Sequence, residues 1–259
     1  MQIKIVRKYL KETFFNMKYA IIAAGEGSRL AKDGVNLPKP LVRVNGIPII
    51  DRLIRIFMNN NATGIYVICN EINPAVQTHL AEIQKNGIDG KKVPLHYIVK
   101  STPSSMHSFY ELRQFLLDEP FCLTTVDTIF DEKAFKSYIY TLQNVYMSGA
   151  ADGVMGITDF IDDEAPLYVG MDEEDVITGF YDDAHHCQYI SGGIYGLTPN
   201  SIPTLERCVS RGESRMRNFQ RALVVDGKRL LGYRFTKVLD IDHAADIQKA
   251  EDFINNGCV

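Results

Sequence analysis

Residues 19–30 read Tyr-Ala-Ile-Ile-Ala-Ala-Gly-Glu-Gly-Ser-Arg-Leu, and residues 37–41 read Leu-Pro-Lys-Pro-Leu. The apolar run 19–24 shows no alternation of polar and apolar positions, which predicts a strand buried on both faces, as in the parallel sheet of an α/β protein. This strand leads directly into a loop that contains Gly25 and Gly27. We expect both glycines to adopt positive φ and to bring the backbone close to a ligand, with successive N–H groups directed at phosphate oxygens.

Two cations accompany the glycine loop. Arg29 offers a planar fork of donors that suits a phosphate, whereas Lys39 is a compact point charge. Pro38 and Pro40 flank Lys39 and should hold it in an extended, fixed position. The glycines alone would favour a structural turn, but the glycines with both cations predict a nucleoside triphosphate site. The predicted nucleotide-binding residues of this segment are Ala23, Ala24, Gly25, Glu26, Gly27, Ser28, Arg29 and Lys39.

The loop departs from two widespread nucleotide-binding motifs. A dinucleotide-binding fingerprint needs a third glycine, and Leu30 stands at that position. A Walker loop needs Gly-Lys-Ser/Thr at a fixed distance from its first glycine, and this chain has no such triplet there. The sequence therefore predicts a phosphate-binding loop of another type.

The segments 23–30 and 38–41 resemble the signature of the nucleotidyltransferase family that includes the sugar-1-phosphate nucleotidylyltransferases. The resemblance extends from about Lys18 to the C-terminus. It implies a Rossmann-like three-layer α/β/α fold with a mixed, mainly parallel sheet. It also implies Mg²⁺ as cofactor and transfer of a nucleoside monophosphate from a triphosphate to a phosphorylated small-molecule acceptor, with release of pyrophosphate.

The rest of the chain alternates between buried strands and amphipathic helices. Such alternation predicts parallel strands joined by right-handed crossovers, with ligands at the carboxyl ends of the strands. The predicted strands are 64–69, 95–99 and 121–126, and the predicted helices are 74–85, 107–117, 213–225 and one that opens at Ile47 and stops at Asn59-Asn60-Asn61.

Two aspartates lie where this topology places ligands. Asp127 follows the predicted strand 121–126; an aspartate there is by itself more often a cap or turn residue, but the resemblance implies a metal ligand. Asp242 precedes the C-terminal helix, where spacing alone favours an N-cap. The resemblance implies that it is the second metal ligand, with Asp240 as the alternative. Two carboxylates suit Mg²⁺, which takes its other ligands from water and substrate phosphates.

The resemblance implies that Arg29, Lys39, Asp127 and Asp242 carry the chemistry. Mg²⁺ and Lys39 would offset charge that develops at the α-phosphate, while Arg29 and the loop N–H groups hold the β- and γ-phosphates. An acceptor phosphate is already ionised at neutral pH, so the reaction needs no general base.

Other residues are candidates for the base and the acceptor. Ser104 and Ser105 lie at a predicted strand-to-helix junction, where hydroxyls either cap the helix or contact the base and ribose. Glycines in the segment 189–196 would let a sugar approach the backbone. The predicted acceptor-binding residues are Asp182, Gly192, Gly193 and Arg217, with Arg221 as a further candidate for the acceptor phosphate and ordinary solvated arginines as the alternative.

Three functions remain open at this point. The first is nucleotide transfer to a sugar 1-phosphate, and the second is cytidylyl transfer to a small non-sugar phosphate such as phosphocholine. The third is a catalytically inactive, nucleotide-binding regulatory protein. The presence of both cations and both aspartates argues against the third.

Composition is consistent with an enzyme of this kind. With 259 residues, of which 46% are hydrophobic, the chain can form one domain over residues 17–259 with a sizeable core. It contains no apolar run of the ~18 residues that a membrane span requires and no signal peptide, so we expect a cytoplasmic protein. A formal net charge of −4 argues against a nucleic-acid partner.

Residues 1–16 differ from the rest in being basic, with apolar Ile3, Val6, Leu10 and Phe14 at helical spacing. Three interpretations compete for this N-terminal extension. It is an amphipathic helix that packs on the domain, a weak membrane-surface helix, or sequence upstream of a true start at Met17. We assign it no chemistry.

Overall fold

The computed structural model describes residues 17–162 and 164–256. The three interpretations of residues 1–16 therefore concern residues outside the described part of the chain. Within the described part, we find no helix that combines the length and the apolar character needed to cross a bilayer.

The structure alternates strands and helices over most of its length. The strands are β1 (Met17–Ala23), β2 (Arg43–Val44), β3 (Ile47–Pro48), β4 (Ala62–Cys69), β5 (Leu95–Val99), β6 (Phe121–Thr125), β7 (Thr128–Phe130), β8 (Gly153–Thr158), β9 (Tyr168–Met171), β10 (Ile177–Tyr181), β11 (Tyr189–Leu197), β12 (Leu230–Phe235) and β13 (Val238–Asp240). The α-helices are α1 (Ser28–Lys32), α2 (Ile49–Asn59), α3 (Pro74–Asn86), α4 (Ser105–Leu112), α5 (Glu132–Ser148), α6 (Ile202–Ser210), α7 (Met216–Val225) and α8 (Ala244–Asn256).

A central sheet joins most of these strands. Its order is β10-β9-β11-β6-β1-β4-β5, and β8 pairs with β11 and carries β12 on its other edge. β1 pairs in parallel with β4 on one side and with β6 on the other. Among the described strands of this sheet, β10 and β11 run against the direction of the others. The predicted mixed, mainly parallel sheet is therefore confirmed.

The sheet is covered on both faces, as the unbroken apolar run in β1 predicted. Tyr19 and Ile21 point into a core formed with α2, α3, α5 and α8, where the Tyr19 ring stacks on Phe57 at 4.3 Å. Ala20 and Ile22 point into a second core formed with α4, α6 and α7. Burying both faces of a strand requires apolar residues at successive positions, so alternation is absent from this strand. The three-layer α/β/α architecture is confirmed.

The order of the strands creates a crevice beside β1. From β1 the chain proceeds outward through β4 and β5 on one side and then crosses to β6 on the other side. At such a switch point the loops after adjacent strands separate, which opens a ligand crevice at their carboxyl ends. β13 adds a further loop to this edge because it pairs with β7, and the Ile241 N–H donates to the Asp127 carbonyl at 3.2 Å.

Several predicted element boundaries shift in the structure. The helix expected from Ile47 begins at Ile49, because Ile47 and Pro48 form a short strand with β2. The helix expected over 107–117 begins at Ser105 and gives way to a 3₁₀ turn at Arg113, and the helix expected from 213 begins at Met216. The predicted stop at Asn59-Asn60-Asn61 is confirmed.

Candidate active site

The glycine loop follows β1 and ends where α1 begins. Gly27 has a φ of 66°, and a Cβ atom there would lie 3.2 Å from the Cβ of Lys39. Both the left-handed backbone and the close approach to Lys39 therefore require glycine at this position. The expectation of positive φ at Gly25 is wrong, because Gly25 is not among the left-handed residues. A Cβ at Gly25 would meet no atom within 4 Å, so this position borders open space instead.

Replacing Gly27 by alanine is expected to lower the free energy of unfolding by about 1–2 kcal/mol, the typical penalty for an L-residue in the left-handed region. Lys39 must also shift to accommodate the methyl group. Gly25→Ala is the matched control, and its stability should stay within about 0.5 kcal/mol of the parent protein. Urea unfolding measures both variants, and an equal loss of stability in the two would contradict this account.

Asn70 fixes the start of the loop and was missed by the sequence analysis. Its side chain is buried, and Nδ2 donates to the carbonyls of Ala24 at 3.2 Å and Gly25 at 3.1 Å. Its Oδ1 accepts from the backbone N–H of Asn73 at 3.2 Å. The sequence contains a signal for Asn70, because this residue directly follows buried β4. In the same way, Asp127 directly follows the predicted strand 121–126.

Asn70→Asp is expected to loosen the loop while keeping the side-chain shape. A carboxylate oxygen would face two backbone carbonyls in place of the donor, and leaving such buried groups unsatisfied costs about 1–3 kcal/mol. We expect the KM for the nucleotide to rise. Asn60→Asp is the control, because buried Asn60 donates to Ile56 at the opposite end of the sheet. That variant should lose stability without a change in the KM, and a raised KM in both would contradict the role of Asn70.

Lys39 lies in a turn rather than in the extended segment that the sequence predicted. Pro38 is extended, but Lys39–Leu41 form a 3₁₀ turn in which the Leu41 N–H donates to the Pro38 carbonyl at 2.8 Å. Pro40 lies inside this turn at a position where no amide hydrogen is needed, so its missing donor leaves no hydrogen bond unmade. Pro40 is buried, and Lys39 lines the crevice.

The four residues predicted to be catalytic converge in the crevice. The Lys39 ammonium contacts a carboxylate oxygen of Asp127 and lies 2.7 Å from Oδ1 of Asp242. Arg29 donates from Nη1 to the other oxygen of Asp242 at 2.7 Å. Burial by itself would lower the pKa of Lys39, but the charges and hydrogen bonds of Asp127 and Asp242 outweigh burial and raise that pKa above its ordinary value. Lys39 therefore stays protonated.

The carboxylate of Asp242 is directed at these cations and does not cap α8. Instead, the Asp246 carboxylate accepts from the N–H groups of Asp242 at 3.1 Å and His243 at 2.8 Å. Asp33 caps the same helix from outside, since it accepts from the Ala244 N–H at 3.0 Å and pairs with His243 Nδ1 at 2.9 Å. These bonds hold the pKa of Asp33 below its ordinary value. Asp242 is therefore not needed as the cap of α8, and its carboxylate faces Lys39 and Arg29 instead.

The pair Asp127 and Asp242 fits a divalent cation with hard oxygen ligands. Oδ1 of Asp127 is buried and has no hydrogen-bond partner among the described residues, and a buried acceptor normally has one. The described part of the chain contains no cluster of three or more His, Cys, Asp or Glu suited to a metal. A cation here would therefore take its remaining ligands from water and phosphate, as Mg²⁺ does. Asp240, the alternative ligand, pairs with Thr128 across β13 and β7 and lines a second cavity.

A cleft of about 480 Å³ surrounds this charge cluster. Most of the residues predicted to bind nucleotide line it, whereas Ala23 is buried in β1 and does not. Ser104 lines the cleft and also caps α4, with its Oγ 2.9 Å from Nδ1 of His107. The predicted residues that line the cleft are Ala24, Gly25, Glu26, Gly27, Ser28, Arg29, Lys39, Ser104, Ser105, Asp127 and Asp242.

A second cavity of about 230 Å³ adjoins the cleft and shares Arg29 and Asp242 with it. Of the four predicted acceptor residues, Gly192 lines this cavity.

The other three predicted acceptor residues lie elsewhere. Arg217 and Asp182 pair with each other at 2.6 Å, and Arg221 holds the other oxygen of Asp182 at 2.7 Å. Gly193 has a φ of 69° and packs on the side chain of Thr128. The structure thus brings the predicted acceptor set together only in part, because the arginines of α7 bind a carboxylate of the protein itself.

Comparison with known proteins identifies relatives that share this fold. The model of the family described as Nucleotidyl transferase matches residues 18–257. A curated relative, the CMP-5'-(3-aminopropyl)phosphonate synthase of Streptomyces rubellomurinus, is 24% identical over 163 residues, which are 57% of this chain and 25% of the relative. This match thus spans about a quarter of the length of that relative.

Two solved structures extend the likeness over nearly the whole chain. A UDP-glucose pyrophosphorylase complexed with UDP-glucose has a TM-score of 0.74 at 17% identity, with 93% of this chain and 99% of that chain covered. A CTP:phosphocholine cytidylyltransferase from Streptococcus pneumoniae has a TM-score of 0.70 at 15% identity, with 93% and 100% covered. At these identities the likeness shows a shared fold. The family match over residues 18–257 shows that the chain belongs to the nucleotidyl transferase family.

Proposed function

We propose that this protein is a Mg²⁺-dependent enzyme that transfers a nucleoside monophosphate from a nucleoside triphosphate to a sugar 1-phosphate and releases pyrophosphate. One observation carries the proposal. Arg29, Lys39, Asp127 and Asp242 converge at the carboxyl ends of the strands, in a cleft that the glycine loop borders. Two cations for phosphates and two carboxylates for a metal are the groups that nucleotidyl transfer requires.

The chemistry is an in-line substitution at the α-phosphorus. An oxygen of the ionised acceptor phosphate forms the new bond to the α-phosphorus, and the bond between that phosphorus and the bridging oxygen of the β-phosphate breaks. The electron pair leaves with pyrophosphate, and no proton has to move. When bound, Mg²⁺ would supply positive charge beside the reacting phosphate and would be held by Asp127 and Asp242.

Different residues of the chain would bind the phosphates, the base or ribose, and the acceptor. Arg29 and the loop over 24–28 would hold the β- and γ-phosphates, and Lys39 would offset charge at the α-phosphate. Ser104 and Ser105 would contact the base or ribose from the start of α4. An acceptor in the second cavity would have its phosphate beside Arg29 and Asp242, which border both cavities. We keep Gly192 as an acceptor contact and assign Arg217 and Asp182 to a supporting ion pair.

A second candidate acceptor is a small non-sugar phosphate or phosphonate with a cationic head group. The lining of the second cavity favours it, because carboxylates outnumber cations there. The carboxylates are Asp162, Glu164, Asp240, Asp242 and Asp246, and the basic residues are Arg29, His243 and Lys249. Such a surplus attracts an ammonium group, while carboxylates also accept hydrogen bonds from sugar hydroxyls. The names of the Streptomyces and Streptococcus relatives specify an aminopropylphosphonate and phosphocholine.

A matrix of substrates tests the proposal and ranks the two acceptors. Pyrophosphate release is measured with Mg²⁺, and with EDTA as control, for CTP, UTP, dTTP, GTP and ATP against sugar 1-phosphates, phosphocholine and 3-aminopropylphosphonate. Metal-dependent turnover with a sugar 1-phosphate supports the first candidate. Turnover restricted to the amine-bearing acceptors supports the second. Nucleotide binding without turnover across the whole matrix contradicts both.

A further inference from the structure

The position between the two metal-binding candidates is filled by a side chain of the protein. The Lys39 ammonium contacts Asp127 and lies 2.7 Å from Asp242, so one cation bridges both carboxylates. Its side chain is only 12% exposed, so the ammonium is held largely out of solvent beside the two carboxylates. A lysine that faced only the nucleotide would not show these contacts.

We propose that Lys39 is a built-in counter-ion that occupies the cation position in the nucleotide-free protein and leaves it when the metal–nucleotide complex arrives. This inference rests on the proposed function, because it takes Asp127 and Asp242 as the metal ligands. In the exchange, the carboxylates gain the metal ion and the ammonium gains phosphate oxygens. Every charged group has a partner of opposite charge before and after the step.

Electrostatics explains why an internal cation is needed here. Without Lys39, the two carboxylates would share no cation, because Arg29 pairs with Asp242 and Glu164 and has no ion pair with Asp127 among the described residues. Two carboxylates that are close enough to share one ammonium repel each other strongly when they are partly buried. A metal ion that approached the free protein would also meet the ammonium as a like charge. Metal binding without nucleotide should therefore be weak.

The local geometry gives Lys39 a short path to the phosphates. Its Cβ lies 3.2 Å from the position that a Cβ on Gly27 would occupy, so the side chain starts from the wall of the phosphate-binding loop. Lysine is suited to the exchange because its flexible stem carries a point charge whose donors rotate freely. The exchange that we propose requires only rotation about the bonds of this side chain.

Direct measurement of metal affinity in the absence of nucleotide tests the proposal. Mn²⁺ is titrated into the full chain, and free Mn²⁺ is followed by electron paramagnetic resonance. Lys39→Met removes the charge and keeps the length of the stem. We expect it to bind Mn²⁺ at least about tenfold more tightly than the parent, since a unit charge in contact with both ligands is removed. Lys32→Met removes an exposed charge nearby and should change the affinity by less than about twofold.

A double variant, a replacement variant and a second readout complete the test. The double variant K39M/D127N should lose the gain in affinity, because one of the two carboxylates is gone. If K39M does not fold, Lys39→Gln is measured in its place, since its amide can still donate to a carboxylate. Thermal unfolding gives a second readout: added MgCl₂ should raise the Tm of the neutral variant more than that of the parent, because a ligand that binds the native state stabilises it.

Unchanged Mn²⁺ affinity in both neutral variants would overturn the proposal. This result does not depend on whether the proposed function is correct, because the substrate matrix tests that function separately with the parent protein. Turnover in the parent together with unchanged metal affinity in the variants would leave the proposed function standing and remove the counter-ion role. Tighter Mn²⁺ binding in the variants, lost again in K39M/D127N, supports the counter-ion role whichever acceptor the matrix selects.

Discussion

Asp127→Asn is expected to reduce kcat/KM for pyrophosphate release by about a thousandfold, at the scale found when an electrostatic group is removed from an active site. The substitution keeps the shape of the side chain and removes its charge. One of the two carboxylates proposed for Mg²⁺ then becomes a neutral amide, and Lys39 loses one of its two anionic partners. Initial rates of pyrophosphate release at saturating Mg²⁺ measure the effect.

Asp131→Asn provides the matched control four residues further along the chain. Asp131 is the N-cap of α5, and its carboxylate accepts from the Ala134 N–H at 2.7 Å. Asparagine caps helices about as well as aspartate, so stability and turnover should both stay near those of the parent. Turnover of the Asp127 variant within about tenfold of the parent, with its fold intact by circular dichroism, would show that the assignment of Asp127 is wrong.

The parts of the site that sequence could predict are those that carry a local signal. The run 19–24 before the glycine loop is apolar at every position, and Asp127 follows another buried strand. These patterns depend on neighbours in the chain, so β1 and β6 were predicted correctly, and ligand binding at the carboxyl edge of the sheet stays a prediction. The same signal applied to Cys69-Asn70 would have identified Asn70 as well.

Local sequence patterns could not predict the contacts between segments that are distant in the chain. Arg29 and Asp242 are 213 positions apart, and they meet only because β13 pairs with β7 and places the loop after Asp240 beside the loop after β6. No local sequence pattern predicts that pairing, because β7 and β13 contain only three residues each. The hydrogen bonds by which Asp33 and Asp246 cap α8 depend on the same pairing of β7 with β13. Because those two carboxylates cap the helix, Asp242 is not needed for that role.

The acceptor side was predicted least well, for a related reason. Asp182 and Arg217 are predicted from sequence as contacts for a ligand, but in the structure they form an ion pair with each other. Whether a charged side chain faces a ligand or an internal partner depends on tertiary packing. A bulge between Ser191 and Ile194 further changes the register of β11 there, so Gly192 and Gly193 end up in different surroundings.

Lys39→Met is expected to lower kcat by at least about a hundredfold, the scale for loss of one charged donor at a reacting centre. The KM for the nucleotide should rise as well, since Lys39 would contact phosphate in the ground state and in the transition state. Lys39→Arg should not restore the rate, because a planar guanidinium cannot follow the α-phosphate as an ammonium does. Steady-state kinetics at saturating Mg²⁺ separate kcat from KM.

This loss of rate should coincide with tighter metal binding, and the combination distinguishes two roles of one side chain. If Lys39 merely stabilised the fold, its removal would weaken metal binding and turnover together. If it acted only on the nucleotide, the affinity for metal in the free protein would not change. A variant that binds Mn²⁺ more tightly and turns over more slowly is expected only if the same ammonium balances Asp127 and Asp242 in the free protein and the phosphates during the reaction. Near-normal pyrophosphate release from K39M would show that Lys39 is not needed for the reaction.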